Sequence, residues 1–235
     1  MNNPWLKIPA TDYEAHMALP QVAQAQALNK LMASALAQYA PKSLAVIGCS
    51  TGNGFERIDT SHTSRVVGVD INPAYLAILK SRFAHKISLL ELIETDITAP
   101  DFKIDPVAMV FAGLVFEYVD VVSAMKNIAR CLSPGGIFLS VLQLPSPVSA
   151  PVTPTRYKSL ELLASIMNLV PPFEFTDICA DVGLQKIKTD TVPLEKGKAF
   201  FVGFYQKDNV TSVPTDTEKS LKSTKVQFPG GIRYE

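Results

Sequence analysis

The stretch that decides the fold is LAVIGCSTGNGFE, residues 44–56. A short apolar run leads into three glycines, Gly48, Gly52 and Gly54, and apolar residues resume at Phe55. This order predicts a buried strand, a glycine turn and the start of a helix. Glycines at such a junction let the backbone approach a ligand closely, and the free N–H groups of the following helix point at that ligand. We therefore expect a loop that binds a nucleotide-like molecule.

A second strand with a terminal carboxylate narrows the choice of ligand. The glycine spacing, G-x-x-x-G-x-G, matches neither the G-x-G-x-x-G dinucleotide fingerprint nor the P-loop, which needs a lysine. Residues 65–70, RVVGVD, form the next apolar strand and end at Asp70. An acidic residue roughly 20 positions after the glycines is placed to accept hydrogen bonds from both ribose hydroxyls. The ligand should therefore carry a ribose.

Five motifs, in this order and at these intervals, extend the pattern: VIGCSTGNG, VVGVDIN, ETDIT, FAGLVFEYV and LSPGG. Together they resemble the successive motifs of class I S-adenosylmethionine-dependent methyltransferases, over residues 40–145. The ordered set is far more specific than any one of its members. The resemblance implies S-adenosylmethionine as the cofactor. It also implies an α/β, Rossmann-like fold: a seven-stranded, mostly parallel sheet with helices on both faces and an antiparallel C-terminal hairpin.

The resemblance further implies cofactor-binding residues after the first four strands: Gly48, Cys49, Ser50, Gly52, Asp70, Ile71, Asp96, Ile97 and Ala112. In the family, the glycine loop lies under the methionine and the ribose, and the second motif holds the ribose and packs on the adenine. The third motif meets the amino edge of the adenine. Two positions depart from the family pattern: Val46 stands where an acidic residue is usual, and Ser50 stands where the middle glycine is usual.

The reaction zone is predicted from position along the sheet. Open α/β sheets bind ligands at the carboxyl ends of their strands, so residues 113–118, GLVFEY, should face the reactive end of the cofactor. In many relatives of this family the segment before the first strand folds over the active-site mouth. These arguments select the acceptor-pocket residues Tyr13, Met17, Phe116 and Tyr118.

A hydroxyl or protonated amine acceptor would benefit from a base, and two candidates are available. They are His16 and Glu117. The alternative for His16 is a surface or packing histidine, and the alternative for Glu117 is a carboxylate solvated at a helix start. His62 and His85 lie in regions that point away from the strand carboxyl ends, so they are not candidates.

The hydrophobic pattern divides the chain into three parts. Residues 1–40 are predicted as a lid segment followed by an amphipathic helix over 18–39, residues 41–206 as the methyltransferase core, and residues 207–235 as a polar tail. The core is expected to hold further helices at 73–83, 119–132, 157–170 and 173–182. Further strands are expected at 87–93, 107–112, 137–144, 184–192 and 198–206. The proline-rich stretch 145–155 is predicted to be a stiff active-site loop, with a plain surface connection as the alternative.

Composition limits the possible partners. Lys plus Arg equals Asp plus Glu, at 22 each, so no global field attracts nucleic acid or an anionic membrane. Three scattered cysteines suggest neither a disulfide framework nor a metal site and fit a reducing compartment. No apolar run approaches the roughly 18 residues that a membrane span needs. We therefore expect a soluble, cytoplasmic protein without a metal.

The sequence favours a methyltransferase that acts on a small, partly apolar acceptor. The asparagine-proline pair of the family's amino-methylating DNA and glutamine enzymes is missing after the fourth strand, where AGLV stands at 112–115. This argues against an exocyclic amine as acceptor. Three alternatives remain: a protein or RNA methyltransferase of the same fold, a non-catalytic S-adenosylmethionine-binding regulatory or partner protein, and, less suited to the glycine spacing, an NAD-dependent oxidoreductase.

Overall fold

A single seven-stranded sheet organises the computed structural model, which describes residues 3–209. The strands are β1 Ser43–Ile47, β2 Arg65–Asp70, β3 Leu89–Glu94, β4 Val107–Gly113, β5 Leu132–Gln143, β6 Leu184–Pro193 and β7 Ala199–Lys207. Their order is β3-β2-β1-β4-β5-β7-β6, with β7 antiparallel to both of its neighbours and the other pairs parallel. The predicted Rossmann-like sheet with its C-terminal hairpin is confirmed. The predicted tail lies, from residue 210 onward, outside the described residues.

Within residues 3–209, five α-helices surround the sheet: α1 Ala10–Ala18, α2 Gln24–Tyr39, α3 Pro73–Phe83, α4 Val121–Cys131 and α5 Pro172–Asp181. Short 3₁₀ turns cover Pro4–Lys7, Phe55–Arg57, Phe116–Tyr118, Lys158–Ser165 and Glu195–Gly197. Asn72 begins α3 because its side chain accepts hydrogen bonds from the N–H groups of Ala74 and Tyr75, and a proline follows at the first helical position. In the described part of the chain, no helix is long and apolar enough to cross a membrane.

The central strands are buried on both faces. In β1, Ala45 and Ile47 join the core on one side of the sheet, while Leu44 and Val46 join the core on the other side. This alternation follows from the two-residue period of a strand. It explains why β1, β2 and β4 appear in the sequence as continuous apolar runs, as strands covered on both faces should.

The predicted helix after the glycine loop is wrong. Only a three-residue 3₁₀ turn, Phe55–Arg57, follows Gly54, and the chain then reaches β2 without an α-helix. The intervening sequence is DTSHTS at 59–64, and its side chains hydrogen-bond locally: Asp59 accepts from the N–H and hydroxyl of Ser61, and the hydroxyl of Thr63 donates to the Pro41 carbonyl. Such bonds compete with helical ones, and no apolar period opposes them.

Two other predicted helices are shorter than expected. The helix predicted over 18–39 begins only at Gln24, because Pro20 lies in a turn that separates α1 from α2. The helix predicted over 157–170 is a 3₁₀ helix that ends at Ser165. Beyond it the backbone N–H of Asn168 donates to the carbonyl of Glu117 at 2.7 Å, so a tertiary contact takes the bond that a helix would use.

Candidate active site

A cavity of about 360 Å³ lies at the carboxyl edge of the sheet. Its floor comes from the ends of β1, β2 and β4, its cover from the N-terminal segment, and its far wall from the proline-rich loop and the start of β7. The sequence-predicted residues that line it are Gly48, Ser50, Asp70, Ile71, Asp96, Ile97, Tyr13, His16, Met17 and Tyr118. Those that do not line it are Cys49, Gly52, Ala112, Phe116 and Glu117.

The glycine loop is fastened to the end of β2 by its own backbone. The N–H groups of Gly48 and Cys49 donate to the Val69 carbonyl at 2.9 and 3.1 Å, and the N–H of Ser50 donates to Asp70 Oδ2 at 2.8 Å. These donors are therefore not free for a ligand, unlike those expected from a helix N-terminus. What the loop offers instead is the Ser50 hydroxyl, which is buried and has no hydrogen-bond partner among the described residues.

Backbone conformation explains the glycine pattern. Gly48 has φ +66°, and a Cβ there would stand 2.6 Å from Cγ2 of Val115. Ser50 has φ +48°, a left-handed conformation that a side chain adopts only at a cost of about 1 kcal/mol or more. A glycine at position 50 would relieve this strain. Compared with glycine, Ser50 therefore lowers the stability of the loop and adds a hydroxyl group to the cavity. Gly52 faces away from the cavity, toward Phe83.

Two carboxylates stand at the predicted nucleoside end. Asp70 accepts from the N–H groups of Ser50 and Asn72, and burial raises the pKa of its carboxyl group, against the effect of these backbone bonds. Asp96 is exposed, and its Oδ1 accepts from both the N–H and the hydroxyl of Thr98. Asp96 therefore caps its own turn through this oxygen. Its second oxygen makes no bond of its own within residues 3–209.

An aromatic cover closes the cavity from the N-terminal side. The ring of Trp5 lies 5.0 Å from Tyr118 and 5.9 Å from Tyr13, both edge to face. The hydroxyl of Tyr75 donates to the Ile8 carbonyl at 2.9 Å, and Asn72 Nδ2 donates to the Trp5 carbonyl at 3.0 Å. Burial raises the pKa of Tyr13 to about 12, so its hydroxyl stays protonated. The cover is thereby fixed to α3, beside Asp70.

A second set of bonds ties α1 to the same region. The carboxylate of Glu14 accepts from the guanidinium of Arg82 on α3 and from the hydroxyl of Thr51 in the glycine loop. The hydrogen bond from Arg82 lowers the pKa of Glu14, so the pair is charged at neutral pH. One side chain of α1 thus connects the cover, the loop and α3.

The opposite end of the cavity carries polar side chains that the motifs did not single out. Gln24 Nε2 donates to Gln143 Oε1 at 2.8 Å, and Lys198 Nζ donates to the Pro151 carbonyl at 2.8 Å. His16 lies with them, its Nδ1 3.0 Å from the hydroxyl of Thr155. Burial, and then the charge of Lys198, lower the pKa of His16, so the imidazole is neutral at neutral pH. The motif EKGK at 195–198 has the composition of an exposed turn, which hid Lys198.

Glu117 is not the solvated carboxylate considered above. Its side chain is 1% exposed, Oε1 accepts from the N–H of Gln143 at 2.6 Å, and Oε2 has no partner among the described residues. Burial raises the pKa of Glu117 to about 7. Phe116 is also internal, with its ring 4.7 Å from Phe175 and 6.1 Å from Phe138. Both residues lie behind the cavity wall, where Glu117 is bonded to the backbone of the lining residue Gln143.

Solved structures with the same fold were found at low sequence identity. Geranyl diphosphate C-methyltransferase from Streptomyces coelicolor A3(2), in complex with S-adenosyl-L-homocysteine, is 14% identical with a TM-score of 0.59 over 76% of this chain and 77% of that chain. N-methyltransferase NodS from Bradyrhizobium japonicum WM9 is 15% identical with a TM-score of 0.60 over 78% and 87%. The [4+2]-cyclase SpnF is 13% identical with a TM-score of 0.60 over 77% and 80%. No curated protein matches the sequence significantly.

The sheet order is that of the Rossmann-like fold that these solved methyltransferases share. Residues 45–140 match the family described as methyltransferase domain. The match runs from β1 to β5, so it includes the glycine loop, Asp70 and Asp96.

Proposed function

We propose that this protein transfers the methyl group of S-adenosylmethionine to a small-molecule acceptor. The observation that carries the proposal is that one continuous cavity joins the glycine loop and Asp70 to a separate polar end, under an aromatic cover. A volume of about 360 Å³ lies within the range of ligand pockets in proteins. A covered pocket favours a small acceptor over a polymer, which would need an open groove.

The residues on the floor of the cavity fit the cofactor. Asp70 would hold the ribose hydroxyls, Ile71 would pack on the adenine, and the free oxygen of Asp96, with Ile97 beside it, would meet the amino edge of the adenine. The unpartnered hydroxyl of Ser50 supplies a hydrogen bond at the methionine side. A glycine is needed at position 48, because a Cβ there would collide with the side chain of Val115.

In the proposed reaction, the main contribution of the protein is to position the acceptor against the methyl group. S-adenosylmethionine, when bound, supplies an electrophilic methyl group on a positively charged sulfur. The cavity walls hold the nucleophile of the acceptor in line with that methyl group and exclude water, and orientation of this kind supplies several kcal/mol of the barrier. His16 would accept the proton that a hydroxyl acceptor loses during the transfer or that an ammonium acceptor loses before it, since its imidazole is neutral and its ring is held by Thr155.

The cysteines and the overall charge bear on the compartment and the partners. All three cysteines of the chain, Cys49, Cys131 and Cys179, are buried and unpaired, which supports a reducing compartment such as the cytoplasm. Equal numbers of basic and acidic residues support a small acceptor rather than nucleic acid.

Isothermal titration tests the cofactor assignment. The wild-type protein should bind S-adenosylmethionine and S-adenosylhomocysteine and should not bind NAD. Asp70→Asn should weaken both sulfur nucleotides by about tenfold or more, because the ribose loses a charged acceptor. Asp190→Asn, at an exposed position on β6, is the matched control and should bind as the wild type does.

Methyl transfer is tested separately from binding. Incubation with radiolabelled S-adenosylmethionine and a panel of small hydroxy and amino compounds should give a labelled product, and His16→Gln should lose turnover while keeping its affinity for S-adenosylhomocysteine. Binding without transfer to any compound would favour the non-catalytic alternative, for which Val46 and Ser50 are the sequence departures. Absence of binding of either sulfur nucleotide would overturn the proposal.

A further inference from the structure

Lys198 is a buried cation at the acceptor end of the cavity. It directly precedes β7 and its residue is 4% exposed, yet it lines the cavity. Of the three N–H donors on its ammonium group, one is used, in the 2.8 Å bond to the Pro151 carbonyl. Burial lowers the pKa of Lys198 to about 8, so the group is mainly a cation at neutral pH.

This cation lacks a carboxylate partner. None of the ion pairs within residues 3–209 includes Lys198. The buried carboxylate of Glu117 does not line the cavity, although its neighbour Tyr118 does. The acidic residues that do line it are Asp70, which ends β2, and Asp96 and Asp120, which follow β3 and β4. A buried ion without a partner costs several kcal/mol. A ligand with a negative charge would offset that cost.

The place of Lys198 in the sheet order favours the acceptor over the cofactor as the partner of its charge. Asp70 ends β2 and Lys198 precedes β7, four strand spacings away, which is about 19 Å between the two strands across the sheet. Lys198 thus lies beyond β4, on the side of the cavity away from Asp70, which the proposed cofactor pose leaves for the acceptor.

The surroundings of Lys198 fit an acceptor with an apolar body and one anionic group. Met17, Leu28, Leu114 and Val152 supply apolar lining in the same cavity. The hydroxyl of Thr153, two residues from the carbonyl that Lys198 contacts, is buried and has no hydrogen-bond partner among the described residues. One lysine with one free hydroxyl can satisfy a monoanion, while a phosphate dianion would call for more donors.

We infer that Lys198 and Thr153 form a carboxylate-binding subsite, so that the acceptor of this enzyme is an amphipathic organic carboxylate. This inference rests on the proposed function, since the ligand is an acceptor only if the protein transfers a methyl group. The subsite itself is a property of the cavity and is testable by binding alone.

The probes are phenylalkanoates with one to four methylene groups, each compared with its neutral amide. Affinities are measured by titration in the presence of saturating S-adenosylhomocysteine. In the wild type, at least one chain length should bind as the carboxylate about tenfold or more tightly than as the amide. Lys198→Met should abolish this preference, whereas Lys196→Met, at an exposed position two residues away, should keep it.

The rival source of the carboxylate is the cofactor itself, and a second arm tests it. S-adenosylhomocysteine and 5′-methylthioadenosine, which lacks the carboxylate, are titrated against the wild type and Lys198→Met. Equal affinities in the two proteins are expected. Loss of affinity for S-adenosylhomocysteine alone would overturn the inference, because Lys198 would then hold the cofactor.

Two further outcomes are decisive. A wild type with no preference for any carboxylate, or a preference that survives in Lys198→Met, would also overturn the inference. A wild type that fails to bind S-adenosylhomocysteine contradicts the proposed function instead, which separates the two failures. Folding of Lys198→Met is checked by its Tm, which should not fall, since an apolar group of similar length replaces a buried charge.

Discussion

At the scale of single residues, Glu117 gives the clearest prediction of pH dependence. Its carboxyl group titrates near 4.5 in an unfolded chain and at about 7 in the folded protein. Between these values the folded state binds more protons than the unfolded state, so the free energy of unfolding falls as the pH rises from 4.5 to 7. The loss levels off above pH 7 at about 3 kcal/mol.

Glu117→Gln should remove this loss, because glutamine keeps an oxygen for the N–H of Gln143 and does not ionise. Urea denaturation at pH 5, 6, 7 and 8 measures it. The variant should gain up to about 3 kcal/mol over the wild type between pH 5 and pH 8. Glu174→Gln, at an exposed position on α5, serves as control and should follow the wild-type curve. Parallel curves for Glu117→Gln and the wild type would contradict the assignment.

At the scale of elements, α1 is predicted to control the exit of the cofactor. Glu14 joins α1 to Arg82 and to the glycine loop through partly exposed side chains, 37% and 45% exposed for the ion pair. Exposed pairs contribute less than about 1 kcal/mol to stability. Glu14→Gln should therefore change the Tm little, yet the dissociation rate of S-adenosylhomocysteine should rise severalfold, because the cover opens more readily.

Surface plasmon resonance of the two proteins measures that rate. Glu91→Gln is a matched control, since Glu91 makes a comparable partly exposed pair with Arg65 near the start of β2, away from the cavity. The control should dissociate at the wild-type rate. Equal acceleration in both variants would show that charge loss alone, rather than the position of Glu14, is responsible.

The elements also show which features a sequence can predict. The strands β1, β2 and β4 are predictable because burial on both faces leaves continuous apolar runs, and α3 is predictable because Asn72 and Pro73 form a local start signal. The helix expected after Gly54 fails because side-chain bonds in 59–64 replace helical ones. Lys198 is not predictable, because its burial depends on Pro151, 47 residues earlier in the chain.

At the scale of the whole molecule, the cavity is built from distant parts of the chain, from Asn3 to Lys198. A ligand bound there should therefore stabilise the whole protein against unfolding, since unfolding would destroy its site. At a concentration one hundred times its dissociation constant, S-adenosylhomocysteine should stabilise the protein by about 2.7 kcal/mol and raise the Tm by about 5–10 °C. Differential scanning calorimetry checks this, with NAD as the control that should leave the Tm unchanged. A shift confined to a minor, separate transition would contradict it.

Trp5 is the single tryptophan of the 235 residues, and it lies in the wall of the cavity. Its indole ring sits edge to face against Tyr118 and Tyr13. Excitation at the red edge of the absorption band therefore selects one chromophore, in the cover of the site. The protein thus carries its own optical reporter of site occupancy, and ligand entry can be followed by emission without any attached dye.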